Sequence, residues 1–183
     1  LKLEGNTGVA AYGVIANLSL VVTAIYTGIA QGIQPIISMN YGVKNTDNIR
    51  AILRYALITM ALLSAGIYIT VLLGAYQIAG VFNSEGNPLL QSIATEGLRL
   101  YFTACPFAGF NIILAMYFTA CDNPLPAHII SILRGFIVII PMAFLLSALW
   151  DILGVWCTFP ATEFLVAGVA LCFLIANQKK LSR

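Results

Sequence analysis

Two residues of this sequence have the type and position to do proton or cation chemistry, Glu163 and Arg134, because each falls inside an apolar stretch and not at its edge. Counted from Leu153, Glu163 lies about 15 Å along a helix rising 1.5 Å per residue. That depth is the middle of a hydrocarbon core of about 30 Å. An ionisable group there is costly, and it marks a proton or cation relay or a counter-ion for a charged substrate. The alternative is a carboxylate locked in a static ion pair. Arg134 is the natural partner. Its stretch runs antiparallel to that of Glu163, and the estimated depths differ by about 7 Å, within reach of a long arginine stem.

Weaker candidates surround this pair. Gln31 and Gln34, with Asn17, sit in the first apolar stretch and Asn111 in the third. Such uncharged polar groups either hydrogen-bond across helices or line a water-filled cavity. Phe102, Phe107, Phe110, Tyr117 and Phe118 are either a soft wall for a hydrophobic cation or ordinary packing. Glu96 and Arg99, spaced i, i+3, predict a local ion pair. His128 reads as an interfacial residue, and Gly28-x-x-x-Gly32 as a weak close-approach motif for helix packing. Prolines inside four spans, Pro35, Pro106, Pro141 and Pro160, each remove a backbone donor and predict a bend, as expected of helices that move.

Other chemistries lack their residues. Cys105, Cys121, Cys157 and Cys172 are scattered through apolar segments without a C-x-x-C pair, so neither a zinc site nor a disulfide framework is expected. No P-loop, G-x-G-x-x-G or H-E-x-x-H pattern occurs, so the chain reads as neither an enzyme nor an ATP-driven pump, with no cofactor. An ion gradient, of H+ or Na+, is the energy source the sequence permits.

The elements that must hold these residues are set by composition. Hydrophobic residues make up 60% of the chain and charged residues 9%, with a net charge of +2, and the mean hydropathy is +0.93. Ordinary soluble domains carry about 25% charged residues, so lipid is the expected solvent. The few basic residues cluster at segment ends, which excludes nucleic acid as a partner.

Turn chemistry divides the chain into five helices of roughly transmembrane length, over about 9–38, 47–79, 88–120, 124–149 and 152–177. Thr46 and Asp47 are expected to cap the second, Asn87 with Pro88 the third, and Asn123 with Pro124 the fourth. The fold class is therefore an all-α membrane protein. A start at Leu1 in a Gly/Asn turn (Gly5, Asn6, Gly8), without a signal peptide, reads as the tail of an earlier helix hairpin in a longer protein. Lys44, Arg50, Arg54, Arg134, Lys179, Lys180 and Arg183 fall toward one side, against Lys2 and Arg99 on the other. This asymmetry predicts an outer amino end and a cytoplasmic carboxyl end in the plasma membrane.

Several segments, in order, resemble the multidrug and toxic compound extrusion family. Gly8-Val-Ala-Ala-Tyr-Gly-Val14 and Gly32-Ile-Gln-Pro-Ile-Ile-Ser-Met-Asn-Tyr-Gly-Val-Lys44 are similar to its eighth-helix region. Leu98-Arg-Leu-Tyr101 with Pro106-Phe-Ala-Gly-Phe-Asn111, Ser131 to Arg134, and Gly154-Val-Trp156 with Pro160-Ala-Thr-Glu163 resemble its tenth, eleventh and twelfth helices. The resemblance implies one lobe of a twelve-helix, two-lobe transporter, the carboxyl-terminal half, with Leu1 to Glu4 at the end of the seventh helix. It implies export of small organic cations in exchange for H+ or Na+, with the amino-terminal lobe and membrane lipid as partners. Sodium-coupled members are associated with acidic residues in the seventh and tenth helices; the glutamate of the third span here, Glu96, falls near its outer end.

Two other functions remain open on the sequence. One is half of a lipid-linked oligosaccharide flippase of the same superfamily, though basic residues for an anionic headgroup are missing from the interiors of the first and last helices. The other is a non-transporting membrane scaffold, which gives Glu163 and the four prolines no task.

Overall fold

In the computed structural model the chain is described over residues 5–181, with side chains to Asn177. Lys2, Arg183 and residues 1–4 lie outside the described residues, as do the side chains of Lys179 and Lys180. Among the described residues every element is helical: α1 (Gly5–Gly42), α2 (Thr46–Phe82), α3 (Pro88–Tyr101), α4 (Cys105–Ala120), α5 (Pro124–Ile132) and α6 (Ile139–Leu181). A 3-10 turn, Phe102–Ala104, joins α3 to α4, and a π turn, Leu133–Ile137, joins α5 to α6.

Four helical runs are long and apolar enough to cross a membrane, over Gly5–Gly42, Thr46–Phe82, Pro88–Ala120 and Pro124–Asn177. The last has 54 residues, about 80 Å if straight, more than twice the thickness of a hydrocarbon core. It does not stay straight. Trp150 (φ −132°, ψ 20°) and Asp151 (φ 48°, ψ −127°) leave helical geometry, and the chain turns back on itself there. A Cβ on Gly154 would collide with the carbonyl of Leu146, so the limb 139–149 and the limb 152–181 touch at backbone distance. Counted with that reversal, the described residues make five helical passes, or traverses, of the bundle.

Several local expectations need correction. α1 is assigned from Gly5, whose φ of +55° is left-handed, so of the expected turn Gly5 keeps turn geometry while Asn6 and Gly8 are already helical, and α1 runs on through Asn40 to Gly42. The Asn40 side chain explains the extension: its Nδ2 donates to Ile36 O at 2.8 Å, and its Oδ1 accepts from Asn48 Nδ2 at 3.1 Å. α2 is capped by Asn45 and not by Thr46 or Asp47, because Asn45 Oδ1 accepts from Asn48 N. Asn87 caps α3 through Leu89 N and Leu90 N, whereas Asn123 makes no such bond at α5. The third span is two helices, since Pro106 starts a new first turn after the 3-10 segment. Near Pro141 the backbone widens into the π turn, with Val138 N donating to Leu133 O at 2.9 Å, while the helix continues through Pro35 and Pro160.

Packing follows the buried faces. α4 is the central element, in contact with α1, α2, α5 and α6. Its buried residues include Ala108, Gly109, Asn111, Ile113, Leu114, Tyr117 and Phe118. Gly97 of α3 permits a close triple contact, since a Cβ there would fall 2.5 Å from Ile15 Cδ1 and 2.9 Å from the Trp156 ring. Polar ties sit inside this apolar mass. Tyr26 Oη meets Ser64 Oγ at 2.9 Å, and Ser64 Oγ donates to Cys105 O at 3.3 Å, joining α1, α2 and α4. In hydrocarbon such bonds hold helices together where apolar contact gives no preference over lipid.

Candidate functional site

Glu163 sits in the second limb of α6, three residues after Pro160, and is completely buried. Both of its carboxylate oxygens are occupied. Arg134 donates to Oε1 from Nε at 3.0 Å and from Nη2 at 2.5 Å. Asn111 Nδ2 donates to Oε2 at 2.7 Å and also to the Glu163 backbone carbonyl at 3.0 Å. A carboxylate from the fifth traverse is thus held by a guanidinium from the fourth and an amide from the third. Such a charge is tolerated in a low dielectric only with this degree of pairing.

The local backbone explains how each partner arrives. Arg134 lies in the π turn, whose i→i+5 hydrogen bond swells the helix by one residue and redirects the side chains that follow; π turns recur at functional sites. Its side chain keeps 22% exposure, so Arg134 is the member of the cluster that is not fully buried. Asn111 is on the buried face of α4, and its Oδ1 is buried without a hydrogen-bond partner. Thr162 Oγ1 and Trp156 Nε1 are buried without partners on the same limb as Glu163.

The other candidates separate from this cluster. Gln31 is exposed and Gln34 half-buried on α1, and neither bonds across to another helix among the described residues. Asn17 is exposed on the same helix, so the packing role expected of these amides is not seen. Glu96 and Arg99 form no ion pair; both are exposed and line a cleft of about 700 Å3 with Tyr76 and Gln91, whose Nε2 donates to Tyr76 O. His128 is exposed near the start of α5. Of the aromatic set, Phe102, Tyr117 and Phe118 are core, while Phe107 packs edge-on against Phe164 at 5.2 Å.

A second cleft, of about 360 Å3, was not foreseen. Tyr12, Tyr101, Phe144 and Phe159 give it aromatic walls, and Ser147 and Thr158 supply hydroxyls. Tyr101 stacks on Phe159 at 4.7 Å, and Phe159 is one helical turn before Glu163. The trace of this cleft in the sequence is weak, since its residues come from four distant segments.

Comparison with known proteins agrees with this architecture. The model of the MatE family matches residues 1–145. The chain is 25% identical over 182 residues to the multidrug export protein MepA of Staphylococcus haemolyticus, covering 100% of this chain and 39% of that protein. It is 24% identical over 177 residues to the FAD transporter of Shewanella oneidensis, covering 94% and 37% of the two. A solved outward-facing structure of a multidrug resistance MATE family transporter superposes with a TM-score of 0.90 at 16% identity, over 98% of this chain and 40% of that one. The chain therefore spans about two fifths of the length of the relatives it matches. On the match to residues 1–145, with this shared architecture, the chain belongs to the MatE family.

Proposed function

We propose that the chain is the carboxyl-terminal lobe of a cation-coupled exporter of small organic cations, and that Glu163 takes the coupling ion, H+ or Na+. The observation that carries this reading is the full burial of Glu163 between Arg134 and Asn111. A carboxylate so held can accept a cation in one economical way, by exchanging Arg134 for it. The incoming H+ or Na+ neutralises Oε1, the guanidinium withdraws from it, and Asn111 keeps Oε2 in place. Reversal returns Arg134 and expels the cation. Because Arg134 sits in a π turn, with Pro141 beyond it and Pro160 beside Glu163, this exchange is coupled to helix bending, while Pro35 and Pro106 are the flexing points of the other spans.

The partners are then the amino-terminal lobe, membrane lipid and the exported cation. The Tyr12–Tyr101–Phe144–Phe159 cleft suits a flat organic cation, since aromatic faces attract cations within about 6 Å. Gln31 and Gln34 supply polar contacts toward the other lobe. The bias of basic residues favours the plasma membrane with the carboxyl end in the cytoplasm. The name of the Shewanella relative raises transport of FAD, an anionic dinucleotide, instead. That cargo needs guanidinium or ammonium groups for its phosphates; the aromatic cleft has none in its lining, Arg134 is paired with Glu163, and Arg99 lines the other cleft.

The test is efflux of ethidium from cells lacking their own pumps and expressing the complete protein that carries this chain. Efflux that stops when the proton or sodium gradient is collapsed supports the proposal. Accumulation identical to empty vector removes it.

A further inference from the structure

One face of α2 is covered by nothing among the described residues and changes character along its length. Arg50 and Arg54 are exposed and one turn apart near its start, with Lys44 in the preceding turn. The same face continues through Ile58, Leu62, Ile69 and Leu73, which are 45%, 70%, 54% and 75% exposed. At 100° per residue all of these, with Arg50 and Arg54, fall within an arc of about 140°. From Ile58 to Ile69 the rise is about 16 Å, close to half the thickness of a bilayer core. Tyr55, 70% exposed, stands at the junction between the two parts, where interfacial aromatics collect.

The charge on this patch is not neutralised among the described residues. Asp47 approaches Arg50 at 3.8 Å but is itself 93% exposed, and such a surface pair adds little. Arg54 has no carboxylate partner among the described residues. Two guanidiniums one turn apart present parallel donors suited to phosphate oxygens. A phosphate at their level and an acyl chain along the apolar stripe would fit the same face together.

We propose that this face of α2 binds an anionic phospholipid, with Arg50 and Arg54 holding the headgroup phosphate, Tyr55 at the glycerol level and Ile58, Leu62 and Ile69 against one acyl chain. The site is independent of Glu163 and of ion coupling. It is a place where the lipid composition of one leaflet acts on the spans.

The experiment is thermal unfolding of the detergent-purified complete protein with added phosphatidylglycerol or phosphatidylcholine, alongside native mass spectrometry of retained lipid. Phosphatidylglycerol is expected to be retained about thirtyfold more tightly by the wild type than by the Arg50→Gln/Arg54→Gln variant, from about 1 kcal/mol per basic side chain near an anionic surface. The preference should fade with added salt in the wild type, a readout that stands even if the variant folds poorly. Glycerol phosphate, a headgroup without chains, should not substitute for the lipid. Equal retention of the two lipids by the wild type, undiminished retention by the folded variant, or full replacement by glycerol phosphate would overturn the proposal.

Discussion

Glu163 and Arg134 are 29 residues apart, about 44 Å along a straight helix, yet Arg134 Nη2 and Glu163 Oε1 meet at 2.5 Å. The contact exists because the helical run from Pro124 folds back at Trp150 and Asp151. One buried ion pair therefore joins two adjacent helical limbs, and Asn111 joins a third.

Removing one member of the pair should cost more than removing both. Arg134→Met strands a fully buried carboxylate, and breaking such a pair costs about 3–5 kcal/mol. The expected outcome is low expression and a lower Tm in detergent. The Glu163→Leu/Arg134→Met double variant, with no charge to strand, should recover most of the Tm but not gradient-driven efflux. Recovery of both would make the pair purely structural.

Asn111 tests the geometry of the carboxylate. Asn111→Leu removes both of its bonds to Glu163 and should lower stability by about 1–3 kcal/mol. Asn111→Asp sets a second carboxylate where an amide now stands 2.7 Å from Oε2. Like charges at that spacing require a shared proton or metal ion. Transport by this variant should survive at low pH or high sodium and fail at high pH in low sodium, measured as ethidium uptake into everted vesicles.

The reversal at Asp151 depends on Gly154, where a side chain would run into the Leu146 carbonyl. Gly154→Ala should separate the two limbs of α6 and cost about 1–3 kcal/mol through overpacking. An introduced cysteine pair across the limbs, one on 139–149 and one on 152–181, should cross-link less readily in that variant than in its Gly154 parent.

The Tyr26, Ser64 and Cys105 carbonyl chain ties α1, α2 and α4 together and lies apart from the Glu163 cluster, so its loss is expected to affect stability and not transport. Tyr26→Phe and Ser64→Ala should each lower the Tm by an amount corresponding to about 1 kcal/mol, with efflux kinetics unchanged.

Much of this arrangement was readable from residue types. A carboxylate inside an apolar stretch is so costly that Glu163 announced itself, and antiparallel counting led to Arg134. Asn111 was visible as a polar group at depth, but not its bonds, because a helical face gives a direction without saying which neighbour lies there. The hidden features are those set by backbone detail. The π turn around Arg134 and the 3-10 turn before Pro106 have no hydropathy signature, since they change hydrogen-bond register and not polarity. Capping by Asn45 was missed because Thr46 and Asp47 are equally good caps by type, and the choice is made by Asn48. Glu96 and Arg99 have the spacing of an ion pair, yet exposed partners lose too much side-chain freedom for too little gain.

The most direct test of Glu163 as the coupling group is ion release on substrate binding. The complete protein, purified in detergent and weakly buffered, is mixed with an organic cation while pH and free sodium are recorded. Wild type should release H+ or Na+ as substrate binds, and a folded Glu163→Gln variant should bind substrate and release neither. Equal release from the variant and the wild type would mean that the coupling ion is held elsewhere.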